Sequence, residues 1–366
     1  MLVADVLAWF GAAGDAAMGN TPGFAVRKAS LAVALARTAE LPQASLDALY
    51  FAGLLHATGA IGNPAFRKGE QLPERIAKME AWDVPARGAQ VCARIGAIPA
   101  ETADMVRWQH EAWDGTGYPD QLRWFGIPRT AQFLALADRF LRTPDPEEAL
   151  AHIGLESGRA FGPEAARTFT MWFHREGGEV DPIDVPVDAL SDAPPDALAL
   201  LEGFADRIDA HNAVDGRWRR VARIADATAA AMKLSAEEQR VLAIAVRIYG
   251  AGELDDTEIE DEAFDPLARL GVEHRARNAA AAAAVAQPHD AFRDAAAIVA
   301  ARGEWFDGTG KPRGLARAKI PAGAAILAAA IAYDRLDRSE RIDTAAGTQF
   351  DPGVVRIMME AAKTRA

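Results

Sequence analysis

The stretch QHEAWDGTGYP, Gln109 to Pro119, returns as RGEWFDGTGKP, Arg302 to Pro312, 193 positions further along a chain of 366 residues. The recurrence is not isolated. An Ile-Pro pair follows each stretch at the same distance (Ile127-Pro128 and Ile320-Pro321), and Gly158-x-x-Phe161-x-Pro163 is echoed by Gly347-x-x-Phe350-x-Pro352. Ahead of the turns, LLHATGAIG (Leu54 to Gly62) has a weaker counterpart in AVRIYGAGE (Ala245 to Glu253). Blocks that recur in one order at nearly one spacing mean that one structural unit has been used twice, so two similar domains are expected. We place copy 1 at residues 1–177, a linker at 178–195 and copy 2 at 196–366. The linker lies in GGEVDPIDVPVDALSDAPPD, Gly177 to Asp196, which is rich in proline and acid and lacks helical periodicity.

Inside each copy the apolar residues recur at three- and four-residue spacing, as in the stripe Phe133, Leu136, Ala137, Phe140, while alternating β-branched runs are nearly absent. The fold class is therefore all-α, two helical bundles in tandem. Half the residues are hydrophobic and the net charge is −12, so a surface for nucleic acid would have to be local and work against the field of the whole chain. Arg217, Arg219, Arg220 and Arg223 form one basic cluster, which the spacing reads as one solvated helix side in preference to a phosphate site. Cys92 is the single cysteine and excludes both an internal disulfide and a thiolate metal cluster within the chain. No apolar run approaches membrane-spanning length. The opening MLVADVLAWFGAAGDAAMG is interrupted by Asp5 and preceded by no basic segment, so it reads as a first helix of a cytoplasmic protein.

LLHATGAIG, QHEAWDGTGYP, IPRTAQFLALADRF and GRAFGP, in that order, resemble successive blocks of the HD-GYP branch of the HD-domain metal-dependent phosphohydrolases. The resemblance covers copy 1 from about residue 20 to residue 175, and copy 2 more faintly. It implies a helical bundle that, in an intact member, holds two or three iron or manganese ions and hydrolyses cyclic di-GMP. Metal-assisted hydrolysis of this kind needs imidazole and carboxylate ligands converging from several helices, so that one ion activates water and a second stabilises the leaving oxygen.

Carried over by motif, copy 1 keeps His56, His110 and Asp138 as metal ligands. Ala57 stands where the resemblance implies a metal-bridging Asp, Ala60 where it implies a Lys, Val84 where it implies a His before Pro, and Gln109 where it implies the first His of a pair. No histidine occurs in residues 1–55 or between His56 and His110, so no change of register restores the missing ones. Copy 2 is poorer, with Arg247 and Ile248 aligned to the His-Asp pair, Arg302 and Gly303 to the His-His pair and Ile331 to the late Asp, while His274 falls near the mid-domain His. The Arg247 guanidinium is expected to fill the vacated metal space.

Two readings stay open for His56, His110 and Asp138: a residual single-metal site, or a hydrogen-bonded buried polar trio. Two also stay open for the segment from Glu111 through Asp114, Gly115, Thr116, Gly117, Tyr118 and Pro119: a cradle for a cyclic dinucleotide, or a structural turn in which glycines supply positive φ and Asp114 closes the loop. Retention of DGTG in copy 2, where the neighbouring ligands are gone, favours the turn. The expected function is a catalytically impaired HD-GYP-like protein acting as a regulatory, scaffold or nucleotide-sensing module in bacterial signalling. The alternative is a weak metal-dependent phosphohydrolase of the cyclic di-GMP phosphodiesterase type, using the residual site of copy 1. No catalytic residue is assigned. No cofactor is expected beyond, at most, one iron or manganese ion in copy 1; the expected partners are signalling proteins and a candidate cyclic dinucleotide, with no membrane and no nucleic acid.

Overall fold

Short, strongly patterned helices joined by turns built on glycine and proline make up both halves of the computed structural model, which describes residues 2–66, 73–191, 196–212, 214, 216–254, 272–336 and 340–363. Among these residues the regular elements are α or 3-10 helices and no strand occurs. The first half contains α1 (Val3–Ala17), α2 (Phe24–Thr38), α3 (Gln43–Leu54), α4 (Glu74–Trp82), α5 (Val84–Ile95), α6 (Glu101–Arg107), α7 (Arg129–Arg142), α8 (Pro146–Leu155) and α9 (Pro163–Glu176). The second contains α10 (Ala197–His211), α11 (Arg217–Ala231), α12 (Ala236–Ile248), α13 (Val272–Ala286), α14 (Arg293–Ala301), α15 (Ala322–Arg335) and α16 (Pro352–Lys363). The repeat is thus visible as matched helices: α2 and α11 are both 15 residues long and start 193 positions apart.

The chain divides into two compact units, Leu2–Phe66 with Glu70–Leu200, and Leu201–Ala366. In the first, α2 is the hub and packs against α3, α7 and α9; in the second, α11 does the same against α12, α15 and α16. The opening apolar segment forms α1, with Val6, Leu7, Trp9 and Phe10 at 0% exposure, as a helix without a polar face must be. The stripe Phe133, Leu136, Ala137 and Phe140 is buried on α7, and Phe140 meets Phe169 and Trp172 of α9 at ring separations of 5.5 and 5.6 Å. Such aromatic packing contributes on the order of 1 kcal/mol per pair beyond area burial.

Chain entry to the hub helix is the same in both units. Gly23 (φ +76°) precedes α2 and Gly216 (φ +68°) precedes α11. A buried carboxylate then accepts the backbone N–H at the second helical position: Asp15 from Ala25 at 2.8 Å, and Asp209 from Trp218 at 2.7 Å. The proline-rich segment after α9 is strapped to the first unit. The Ile183 amide donates to Ser30 Oγ (3.0 Å), its carbonyl accepts from Tyr50 (3.1 Å), and the Ser191 amide donates to the Ala97 carbonyl (2.9 Å).

Candidate functional site

The DGTG segments adopt one conformation in both units. Asp114 Oδ1 accepts from the Thr116 amide and hydroxyl at 3.0 and 2.6 Å, and Asp307 Oδ1 does so from Thr309 at 2.9 and 2.6 Å. Gly115 and Gly308 have φ of +84° and +85°, which L side chains rarely adopt. Gly117 is required for a different reason: a Cβ there would lie 2.1 Å from the Ala112 nitrogen, and at Gly310 2.1 Å from the Trp305 nitrogen. Glu111 clamps the loop through the amides of Asp120 (2.7 Å) and Leu122 (2.9 Å), and Glu304 holds those of Arg313 and Leu315, both at 2.8 Å. The peptides before Pro119 and Pro312 are both cis. Tyr118 is no free platform for a base. Its ring lies between those of His110 (5.2 Å) and Trp82 (5.5 Å).

His56 sits in the turn after α3, fully buried, with Nδ1 2.9 Å from the Gly53 carbonyl and its ring 5.6 Å from that of Phe24. Its Nε2 is buried without a hydrogen-bond partner. Burial, with the Lys28 charge nearby, pushes its pKa well below the ordinary histidine value, and the same causes bring His110 down to about 4. Ala57, Ala60 and Val84 are buried apolar packing. The turn that carries the two alanines is pressed against the start of α5, where a Cβ on Gly59 would lie 2.0 Å from the Val84 carbonyl oxygen.

Asp138, on α7, meets neither histidine through a hydrogen bond. Its Oδ1 accepts from Lys28 Nζ at 3.0 Å and its Oδ2 from Arg142 Nε at 2.8 Å. The Lys28 ammonium, at 0% exposure, also donates to Gln109 Oε1 at 2.8 Å, and Gln109 in turn donates to the His56 carbonyl at 3.1 Å. Burial opposes charge on Asp138, but Lys28 and Arg142 outweigh it and hold the carboxyl well below the usual carboxylate range. Lys28 is the residue that motif reading misses. Its signal is a lone charge on the apolar stripe Phe24, Lys28, Leu31, Leu35 of α2, all buried.

These side chains do not fit a divalent cation. The one acid of the trio has both oxygens committed to cations, the bridging acid is a methyl group, and a fixed ammonium already holds the space between Asp138 and Gln109. Unscreened repulsion between that ammonium and an added dication is severe in a buried setting. Among the described residues no three His, Cys, Asp or Glu side chains gather as a metal-holding group.

The second unit corrects the register expected for its His-Asp pair. A Cβ on Gly252 would lie 1.9 Å from the Asn278 carbonyl oxygen, the counterpart of the Gly59 contact, and 59 to 252 is again 193 positions. Tyr249 and Gly250 therefore stand opposite His56 and Ala57, while Arg247 and Ile248 match Leu54 and Leu55. Arg247 does not fill the vacated space: it pairs with Glu202 of α10 and lies 5.0 Å from the Trp218 ring.

Arg217 and Arg302 instead lie against Tyr249, the counterpart of His56, their guanidinium groups 5.4 and 5.5 Å from its ring centre. Arg217 donates to Glu253 Oε2 at 2.9 Å, with both side chains buried. Burial disfavours the Glu253 charge, but Arg217, Arg335 and Arg302 outweigh it and hold its pKa at about 2. The basic cluster of α11 is thus not a uniform solvated face. Arg217 points inward, while Arg219 pairs with Asp206 at 2.6 Å and Arg220 with Asp334 at 2.8 Å. Arg302 and Gly303 follow the 193-position spacing from Gln109 and His110, and Ile331 lies on α15 where Asp138 lies on α7. The side chain of His274 lies outside the described residues.

Comparison with known proteins agrees with this construction. A family model for the HD domain matches residues 11–164 and again 204–364. A cyclic di-GMP phosphodiesterase of Vibrio cholerae is 31% identical over 147 residues, 35% of this chain and 30% of that protein. Another from Thermotoga maritima is 30% identical over 138 residues, 33% of this chain and 36% of its own length. The aligned region thus spans about a third of each relative. A crystal structure of a cyclic GMP-AMP specific phosphodiesterase from V. cholerae superposes with a TM-score of 0.70 at 20% identity, covering 99% of this chain and 97% of that one, which establishes the fold. No helix among the described residues is long and apolar enough to cross a membrane. Matched helices, matched DGTG turns and the double family match lead to one conclusion: the chain belongs to the HD-domain family, as two HD-GYP-like copies in tandem.

Proposed function

We propose that this chain is a catalytically impaired HD-domain protein that serves as a regulatory, scaffold or nucleotide-sensing module in signalling. The observation that carries this reading is the Lys28 ammonium, buried on Asp138 and Gln109 at 3.0 and 2.8 Å. A tethered cation supplies the positive charge that the surviving acid needs, yet offers no coordination site for water and no Lewis acidity. Arg217 and Arg302 around Tyr249 support the same reading for copy 2, with different residues. The two curated relatives are cyclic di-GMP phosphodiesterases, so a cyclic dinucleotide is the ligand class to try first. The test is metal analysis of the purified chain together with cyclic di-GMP hydrolysis in manganese or iron. Substoichiometric metal and no turnover above that of His110→Ala are expected; stoichiometric metal with turnover that His110→Ala abolishes overturns the proposal.

One observation favours the second reading, a weak metal-dependent phosphohydrolase centred on His56, His110 and Asp138. The unpartnered His56 Nε2 is a buried lone pair of the kind a metal ligand presents. The same assay separates the two.

A further inference from the structure

In copy 2 the place that corresponds to the Lys28 cluster contains a cavity of about 50 Å³, lined among others by Arg302, Gly303, Ile331 and Arg335. Arg302, half-buried, differs from the fully buried cations Lys28 and Arg217. Lys28 has Asp138 and Arg217 has Glu253, but among the described residues the Arg302 guanidinium makes no side-chain hydrogen bond and has no carboxylate at ion-pair distance, Glu253 acting on it only as a neighbouring charge; its Nε, like that of Arg217, is buried without a partner. The Glu304 carboxylate also borders the cavity, but it is committed to the amides of Arg313 and Leu315. Of its guanidinium atoms only Nε is fully shielded, so the other N–H donors are open to a ligand, and the space beside them exceeds what one water needs.

A planar guanidinium presents paired N–H donors that match an oxyanion, and a second arginine on the same wall adds charge of the right sign. We propose that Arg302, with Arg335 beside it, forms an oxyanion site in copy 2 that takes a phosphoryl group. This goes beyond a merely inert second copy and rests on the reading that copy 2 holds no metal. An adjoining cavity of about 240 Å³ shares Glu304, Ala328, Gln349 and Phe350 with the first. It gives room for an organic group attached to the phosphoryl, so free phosphate and a nucleotide phosphate are the two sources to distinguish.

The experiment is calorimetric titration of the full chain with orthophosphate and, separately, with GMP, against chloride at matched ionic strength, each with and without EDTA. Saturable binding that survives EDTA is expected, and the tighter of the two ligands identifies the source. Arg302→Gln, which installs the residue that copy 1 carries at this position, is expected to weaken binding about tenfold or more. Arg302→Lys keeps the charge and loses the fork, so it guards against a folding defect and is expected to fall between the two. Absence of saturable binding by either ligand, or affinity unchanged in both variants, overturns the site. Binding that requires manganese and vanishes in EDTA overturns it as well, and counts also against the impaired-enzyme reading, whereas absence under both conditions leaves that reading standing.

Discussion

Replacing Lys28 by Met removes the buried ammonium while keeping the length and apolar stem of the side chain. Asp138 retains Arg142, whose side chain is 45% exposed, but loses the partner at 0% exposure, and Gln109 Oε1 loses its donor. Stripping one member from a buried ion pair costs about 3–5 kcal/mol; because Asp138 keeps a second cation, we take the lower end, about 3 kcal/mol. For a unit of roughly 200 residues this corresponds to a fall in Tm of about 6–12 °C. The loss depends on pH in a defined sense. Lys28 holds Asp138 well below 3.8, so the stability it contributes is present above about pH 4 and fades as the pH falls and Asp138 protonates. Thermal and urea unfolding of wild type, Lys28→Met, Asp138→Asn and the double variant at pH 7 and at about pH 2 form a double-mutant cycle. Removing both charges is expected to cost less than the sum of the single changes. A destabilisation by Lys28→Met under about 1 kcal/mol at pH 7, or additive effects, would refute the claim that a fixed cation replaced the metal.

The other expectations are independent of that cluster. Gly117→Ala and Gly310→Ala each drive a methyl group to 2.1 Å from backbone nitrogen and are expected to destabilise their units by about 3 kcal/mol; a loss below about 0.5 kcal/mol in chemical denaturation contradicts the shared turn geometry. Burial raises Asp209 from 3.8 to about 6, so its neutral form favours the folded state below about pH 4 and that contribution disappears as the pH rises through 6. Wild type is therefore expected to lose about 3 kcal/mol more than Asp209→Asn across this window, read from unfolding curves at pH 4 and pH 7, and parallel curves count against it. Glu253→Gln leaves Arg217 charged and buried without its carboxylate, with an expected cost of about 3 kcal/mol at pH 7; near-neutral stability in the same assay argues that the pair is not desolvated.

The tandem, the helical class and the turns were legible in the residues themselves, because repetition and 3.6-residue periodicity are local patterns. The DGTG conformation was legible too, since Asp114, Gly115 and Gly117 act on neighbours a few positions away. So was the alanine at position 57, where the family resemblance implies a bridging acid. The replacement was not. Lys28 is 110 positions from Asp138 and 81 from Gln109, and nothing in a linear motif says that α2 delivers its ammonium between them. Its position on an apolar stripe of α2 was a signal of burial that motif reading passed over, and it names no partner. Likewise the weak block AVRIYGAGE aligned Arg247 to the lost histidine, and only the close approach of Gly252 to α13 set the register at Tyr249.

Sequence alone determined that two all-helical units would form and that alanine, valine and glutamine stand at positions 57, 60, 84 and 109, where the family resemblance implies polar or metal-binding side chains. Tertiary structure alone decided what took their place, because a buried charge chooses its partners by distance through packed helices and not by spacing along the chain.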